Sequence, residues 1–352
     1  MRRVIIPVII VFLLTAILPG TCWADTTAPS ASLTVEQAIE LALKNNKDIQ
    51  QAELSLAAAG ISSDLAWESA DAQKSVSSID QLLISDYNVQ AAQKGYDTKL
   101  ESVQFSVYSK YYAVVSALDS VEAQRLANQQ AEEKLRISKL RYTLGMDTRL
   151  ADYQAQQQAV SAQSSYAVAE QSLDQKYIAL MDFIGLANTS RPALVRELSY
   201  TPVEVTHPES KFNDIVNKSP SVWLAKRSLT LQEDTRVNSL DLQGDLSDIN
   251  VEKANITIIT TRDQMLQITR SLYYNILSLE ESYATAKEGA RTADEALRVA
   301  KLLYEAGMGT KLEVTAAEIA AHNAHQALNS QSYQHAILKM AFEKPWAYGS
   351  AN

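Results

Sequence analysis

Few side chains in this sequence have the types and the spacing that chemistry requires. Glu318, His322 and His325 stand three to four residues apart, so a helix would place them on one face, where carboxylate and imidazole groups could bind a metal ion. No second cluster of ligands completes such a site, and the same spacing suits an ordinary solvated helix face. The sequence also has no glycine-rich phosphate loop and no serine, histidine and aspartate grouped at a turn. We therefore expect no enzymatic activity, no cofactor and no resident metal.

The N-terminus has the composition of an export signal. A pair of arginines precedes an apolar run of signal-peptide length, and a small-residue cleavage site ends at Ala24. We therefore predict a signal peptide over residues 1–24. A lipoprotein in which Cys22 is acylated stays open as an alternative, although the residue before Cys22 fits a lipobox poorly. Cleavage after Ala24 would leave the mature chain without cysteine, and hence without a disulfide framework.

The charge of the chain bears on its partners. The formal net charge is −9, and binding nucleic acid requires a basic face that neutralises phosphates. We therefore expect no nucleic-acid partner.

The elements that would position any functional residue come from an internal duplication. Residues 135–150 recur as residues 297–312, an offset of 162, and nine of the sixteen positions are identical. A repeat of this length indicates two copies of one supersecondary unit. In each copy a helical pattern runs into a Gly-Met pair, at Gly145 and at Gly307, and then starts again. This pattern predicts a helix, a tight turn and a second helix.

Apolar residues on both sides of each turn follow a spacing of three and four. In the second copy the series includes Ala290, Ala293 and Leu297 before the turn, and Ala317 and Ala321 after it. Strict seven-residue periodicity indicates neighbouring helices that supercoil, and small alanine side chains let their axes approach closely. We therefore predict an all-α fold of long antiparallel coiled-coil helical hairpins, with β-strands few or vestigial.

Proline and strand propensity refine this picture. Residues 30–191 and 221–344 contain no proline, as long helices require, whereas three prolines fall between the two copies. We therefore predict a first helical-hairpin repeat, a connector and a second helical-hairpin repeat, over residues 25–186, 187–210 and 211–352. The one run with strand propensity is residues 256–261.

Three short motifs give the chain a family resemblance. Residues 33–46 read LTVEQAIELALKNN, and the two turns read YTLGMDT at 142–148 and YEAGMGT at 304–310. With the duplication and the exported N-terminus, these motifs resemble the TolC-like outer-membrane efflux family over nearly the whole mature chain. The resemblance implies a TolC-like α-barrel protomer and a homotrimer in which each chain contributes two hairpins to one tunnel.

The same resemblance implies partners and a location. The tunnel would dock on a periplasmic adaptor (membrane fusion) protein of an inner-membrane transporter, and would export small solutes or proteins. The chain would act in the cell envelope, at the outer membrane or in the periplasm. Family members carry long membrane strands in each copy, and this sequence has no comparable alternating runs. We therefore expect a reduced or missing β-barrel and no direct membrane insertion of the chain.

The resemblance also assigns roles to residues at the turns. The adaptor-docking hairpin tips would consist of Gly145, Met146, Thr148, Gly307, Met308 and Thr310. The glycines could also simply close a helix in the left-handed conformation, and both roles are compatible. Charges at the tunnel entrance would come from Asp147, Arg149, Lys311 and Glu313. For Glu313 the alternative is a carboxylate that interacts favourably with the N-terminus of a helix.

A second function class stays open at this point. A long exported coiled coil could also act as a structural scaffold or spacer of the cell envelope, with no role in transport. The oligomeric state of the mature chain would distinguish the two, because a conduit requires a hollow assembly.

Overall fold

The computed structural model describes residues 32–73, 76–196, 198, 200–238 and 244–351. The predicted signal peptide and Cys22 lie outside these residues. From Ser32 onward the chain forms one compact unit. Its helices, in chain order, are α1 (Val35–Asn45), α2 (Lys47–Gln73), α3 (Val76–Thr143), α4 (Arg149–Ile184), α5 (Pro208–Lys218), α6 (Pro220–Asn238), α7 (Gly244–Glu305), α8 (Lys311–Glu343) and α9 (Pro345–Ala351).

Capping residues that are visible in the sequence set several helix boundaries. At the start of α1, Thr34 Oγ1 accepts a hydrogen bond from the Gln37 N–H at 3.2 Å, and Gln37 Oε1 accepts one from the Thr34 N–H at 3.0 Å. This reciprocal pair satisfies two backbone donors that have no partner inside the helix. Helices α5 and α6 begin at Pro208 and Pro220, because proline at the first position costs no intrahelical bond.

Each repeat is built on one long helix that two shorter helices flank. Helix α3 has 68 residues and packs against α2 and α4, and α7 has 62 residues and packs against α6 and α8. At 1.5 Å per residue the long helices measure roughly 100 Å and 90 Å. The hairpins α3–α4 (hairpin 1) and α7–α8 (hairpin 2) end in the two Gly-Met turns, so the predicted all-α fold of long helical hairpins is confirmed.

The segment between the repeats lies against the helices through specific bonds. Leu33 and Leu194 form an isolated parallel bridge, the only strand-like pairing in the described ranges. The buried Tyr111 hydroxyl of α3 lies 2.8 Å and 2.9 Å from the carbonyl oxygens of Leu33 and Val195. Further along, Arg196 pairs at 3.1 Å with the buried carboxylate of Asp119. The connection is therefore held on α3 by side chains that the sequence places far apart.

Aromatic side chains join the two repeats in one core. Phe105 of α3 is buried in a cluster with Phe212, Ile276 and Phe342, which all belong to the second repeat. Tyr112 of α3 stacks on Tyr333 of α8, with ring centroids 4.8 Å apart. Each repeat therefore buries apolar surface that the other one supplies.

The run with strand propensity, residues 256–261, is helical and lies inside α7. The Thr257 and Thr260 hydroxyls donate to the carbonyl oxygens of Lys253 and Ile256, one turn earlier, at 2.8 Å and 3.0 Å. A β-branched residue costs a helix well under about 1 kcal/mol. A few such residues therefore do not interrupt a long helix that packs along its length, and the interpretation of this run as a vestigial strand is wrong.

Candidate functional site

Both hairpins turn through the same backbone device. In residues 142–150 (tip 1), Gly145 has φ 73°, its N–H donates to Tyr142 O at 3.0 Å, and the Met146 N–H donates to Arg141 O at 2.8 Å. These paired bonds satisfy carbonyls at the end of α3. The left-handed φ disfavours any residue with a Cβ, which explains the glycine.

The second turn repeats this geometry with one extra bond. In residues 304–312 (tip 2), Gly307 has φ 70° and the Met308 N–H donates to Leu303 O at 2.9 Å. The Gly309 N–H donates to the same oxygen at 3.0 Å. A Cβ on Gly309 would lie 3.3 Å from Leu303 Cβ and from the Tyr304 nitrogen, so the backbone folds back tightly here. Tip 2 is therefore the tighter of the two turns.

A threonine then starts the second helix of each hairpin. Thr148 Oγ1 accepts from the Ala151 N–H, and Thr310 Oγ1 accepts from the Glu313 N–H, both at 3.2 Å. Both threonines that the sequence singled out are therefore N-caps. This structural role is compatible with docking.

The two acidic candidates accept hydrogen bonds from these threonines. In tip 1, the Thr148 N–H donates to Asp147 Oδ1 at 2.9 Å. In tip 2, the Thr310 N–H donates to Glu313 Oε2 at 2.7 Å, which completes a capping box. The carboxylates therefore stabilise the starts of α4 and α8, as the alternative interpretation of Glu313 supposed.

The two basic candidates point to different neighbours. The Arg149 guanidinium lies 2.7 Å and 3.0 Å from the Tyr153 hydroxyl oxygen and stands 5.3 Å from the centre of its ring. Lys311 lies close enough to α3 to affect Glu133, whose carboxyl pKa is lowered mainly by its hydrogen bond with Arg136 and also by the positive charge of Lys311. Within the described ranges no ion pair connects the four candidate charges to each other.

Exposed apolar side chains surround both turns. Met146 and Met308 are 71% and 75% exposed, and Leu144 and Leu150 of tip 1 are 64% and 66% exposed. The sequence pattern indicated the two methionines as tip residues, but not the two leucines. A signal for the leucines was present in the sequence. They lie where the regular three-and-four spacing of apolar residues ends, and an apolar residue beyond that point has no partner helix in the hairpin to cover it. Both turns therefore carry a group of exposed apolar side chains.

The histidine cluster considered in the sequence has other partners. His322 Nε2 lies 3.1 Å from the backbone oxygen of Asp119, and His325 Nε2 lies 2.9 Å from Asp294 Oδ1. Glu318 pairs with Lys301 at 3.5 Å. Across the described residues no three His, Cys, Asp or Glu side chains are grouped to hold a metal ion.

The tyrosines at the junction of the repeats are packing groups at neutral pH. Burial raises the pKa of Tyr333 to about 12, and the neighbouring carboxylate of Asp119 contributes to the shift. Burial also raises the pKa of Tyr112. Both hydroxyls therefore stay uncharged, as their stacked rings in the core require.

Comparisons with known proteins give the fold but little sequence similarity. The CmeC outer membrane channel of Campylobacter jejuni is 16% identical and superposes with a TM-score of 0.67 over 90% of this chain and 86% of its own. For the outer membrane protein VceC of Vibrio cholerae the values are 14%, 0.64, 90% and 96%, and for the open-state MtrE outer membrane channel of Neisseria gonorrhoeae they are 16%, 0.53, 89% and 88%. No protein-family model and no curated protein sequence matches the chain.

These superpositions show that the chain has the fold of the TolC-like outer membrane channels. The superpositions cover 89–90% of the chain, which is more than either repeat alone. As for the helices themselves, none in the described part of the chain combines the length and the apolar character needed to cross a lipid bilayer.

Proposed function

We propose that this protein is the tunnel-forming subunit of an export conduit in the cell envelope. Three copies would assemble so that both hairpins of each chain line one helical tunnel. The two tips would dock on a periplasmic adaptor of an inner-membrane transporter. The repeats over residues 25–186 and 211–352 would each contribute one hairpin, and the mature chain would begin after the signal peptide.

One observation carries the proposal. The fold of outer membrane channels occurs here together with two hydrogen-bonded turns that expose methionine at their apex, at Met146 and Met308. A turn needs glycine and a cap, but it does not need an exposed methionine. A rigid backbone that presents apolar groups is suited to docking, because little conformational entropy is lost on binding.

The candidate charges have a place in the same proposal. Asp147, Arg149, Lys311 and Glu313 lie beside the turns, so assembly of several tips would bring several copies of each to the tunnel entrance. In such a ring they would act on ions that pass, in addition to stabilising the helix starts.

The first test is the assembly of the mature chain. We expect residues 25–352 to form trimers by mass photometry, and hollow particles by electron microscopy. A monomeric rod would contradict the conduit and would favour the structural spacer, which needs no lumen.

The second test is docking, with a periplasmic adaptor protein of the same host as the probe. We expect the double variant Met146→Asp/Met308→Asp to keep its helicity and its trimeric state and to lose adaptor binding in a pull-down. The control is Leu54→Asp, which changes an exposed residue of α2 away from both tips. Unchanged adaptor binding in the methionine variant would show that the tips do not dock.

A further inference from the structure

We infer that tip 1 binds a partner segment in which acidic side chains flank an apolar contact, and that tip 2 does not share this preference. The inference rests on the proposed function, since it names the chemistry of the partner at one of the two proposed docking tips. It comes from the charges and exposed apolar groups that distinguish the two turns.

The first observation is the set of cations on tip 1 and the turn of helix before it. Lys139 and Arg141 are exposed and form no ion pair within the described part of the chain. Arg149 is bonded to a neutral hydroxyl, so its charge is not compensated. Residues 139–152 contain these three cations and two carboxylates, that of Asp147, which accepts a hydrogen bond from a backbone N–H, and that of Asp152. A chain with a net charge of −9 therefore carries a local positive surface here.

The equivalent surface of hairpin 2 lacks this excess. Leu303 stands where the repeat offset would place Arg141, and Glu305 stands in place of a threonine. Lys301 is paired with Glu318 at 3.5 Å, which leaves Lys311 as the cation nearest the turn without an ion-pair partner in the described residues. The exposed Glu305 and Glu313 oppose it. The two tips therefore offer different charges to anything that contacts both.

The second observation is that the cations of tip 1 surround apolar groups. Leu140, Leu144, Met146 and Leu150 are between 53% and 71% exposed. In tip 2, Ala306 takes the position of Leu144, and Leu303, which is 41% exposed, takes the position of Arg141, so the apolar groups there lack the cation beside them. Specific protein contacts commonly have an apolar centre and a polar rim, and charge complementarity selects the partner. The complement of tip 1 is an apolar side chain with carboxylates beside it.

The apex favours a protein over an anionic membrane as the occupant. Asp147 and Thr148 lie at the end of the hairpin, and the Asp147 carboxylate is fixed by its bond to the Thr148 N–H. An anionic bilayer would meet this carboxylate first and repel it. A partner helix can contact the leucines and the cations from the side of the tip and avoid the apex.

The test uses two designed helical hairpin peptides as probes, identical except that one presents leucine flanked by glutamate and the other leucine flanked by lysine. We expect wild-type protein to bind the glutamate probe more tightly, with an affinity that falls as salt rises. Arg141→Glu/Arg149→Glu should weaken that binding ~10-fold. Arg141→Lys/Arg149→Lys keeps both positive charges and should bind the glutamate probe as the wild type does. The matched control at tip 2, Lys301→Glu/Lys311→Glu, should change binding less than twofold, and all variants should keep wild-type helicity.

Three results would overturn the inference: equal binding of both probes, equal loss from the variants of either tip, or tighter binding to phosphatidylglycerol vesicles than to the glutamate probe. Failure of the proposed function has a different signature. If the wild-type protein binds the adaptor and Met146→Asp/Met308→Asp does not, the conduit stands whatever the probes show. If the wild-type protein binds no adaptor, the probes still decide whether tip 1 selects acidic segments.

Discussion

The two tips close the same turn with the carboxylate on opposite sides of the capping threonine. Asp147 precedes Thr148 by one residue, whereas Glu313 follows Thr310 by three. Each carboxylate accepts a hydrogen bond from the N–H of its threonine. In both tips the N–H of the capping threonine therefore has a carboxylate acceptor, but the residue that supplies the carboxylate differs. The difference between the copies shows that this turn needs an acceptor for the threonine N–H, and that the acceptor can stand at more than one position in the sequence.

The two hairpins also differ in how many buried polar atoms lie in the seam between their packed helices, and this difference affects their free energy of unfolding. Hairpin 1 has four buried side-chain oxygens with no hydrogen-bond partner in the described ranges, Asp119 included, whereas hairpin 2 has one, that of Gln331. At three of the four positions in hairpin 1, the residue 162 positions later has a small apolar side chain. The pairs are Asn128 and Ala290, Ser138 and Ala300, and Asp152 and Val314. An unsatisfied buried polar group costs roughly 1–3 kcal/mol. We therefore infer that hairpin 1 is locally the less stable of the two.

The largest expected effect comes from exchanging these seams. Ala290→Asn/Ala300→Ser/Val314→Asp should destabilise hairpin 2 by roughly 1–3 kcal/mol per site. The reverse exchange, Asn128→Ala/Ser138→Ala/Asp152→Val, should stabilise hairpin 1, though by less, because Asp152 also favours the start of α4.

Hydrogen exchange of α4 and α8 together with urea unfolding would measure both exchanges. Destabilisation by both triple variants would mean that the polar atoms of hairpin 1 are paired, and the comparison of the seams would then fail.

Enlarging one seam residue tests the packing of hairpin 2. Ala290 is 2% exposed, so Ala290→Leu should overpack the seam and cost about 1–3 kcal/mol. The half-buried Ala293 should tolerate leucine better. In hairpin 1, Asn128→Leu should be neutral or stabilising, because it also removes an unpaired oxygen. A melting temperature that falls further in Asn128→Leu than in Ala290→Leu would contradict the assignment of these packed positions.

The turn glycines should respond alike in the two copies. Gly145→Ala and Gly307→Ala should each cost about 1–2 kcal/mol through their positive φ, since an added Cβ meets no atom within 4 Å at either site. Gly289→Ala is the matched control, because Gly289 lies inside α7 with equally open surroundings and should gain about 0.5–1 kcal/mol. Urea unfolding measures all three, and a neutral Gly145→Ala would refute the conformational argument.

The smallest effect concerns the capping carboxylates. Asp147→Ala and Glu313→Ala should each lose about 0.5–1 kcal/mol. Adding Ala151→Glu to Asp147→Ala should restore the loss, since Ala151 stands where tip 2 has Glu313. Amide exchange at Thr148 would report the restored bond. If the double variant is no more stable to unfolding than Asp147→Ala, tip 1 cannot adopt the capping box of tip 2.

Sequence periodicity predicted the parts of this molecule that local rules determine. The Gly-Met turns and the long helices follow from glycine and the spacing of apolar positions. The pairing of Arg196 with Asp119 and the burial of Phe105 in the second repeat did not, because periodicity carries no information on which distant faces meet. At the tips, residue types identified the turn, but the partner of Asp147 depended on backbone directions that a sequence does not contain.

The contacts between the repeats also set an order of folding. His322 of α8 lies 3.1 Å from the backbone oxygen of Asp119, a residue more than two hundred positions earlier. Hairpin 1 can form from neighbouring residues, with little loss of chain entropy, whereas this closure must wait for α8. A chain that folds from its N-terminus would therefore leave Phe105 and Tyr112 uncovered until its last helices are present. During that interval the exposed aromatic side chains would favour aggregation.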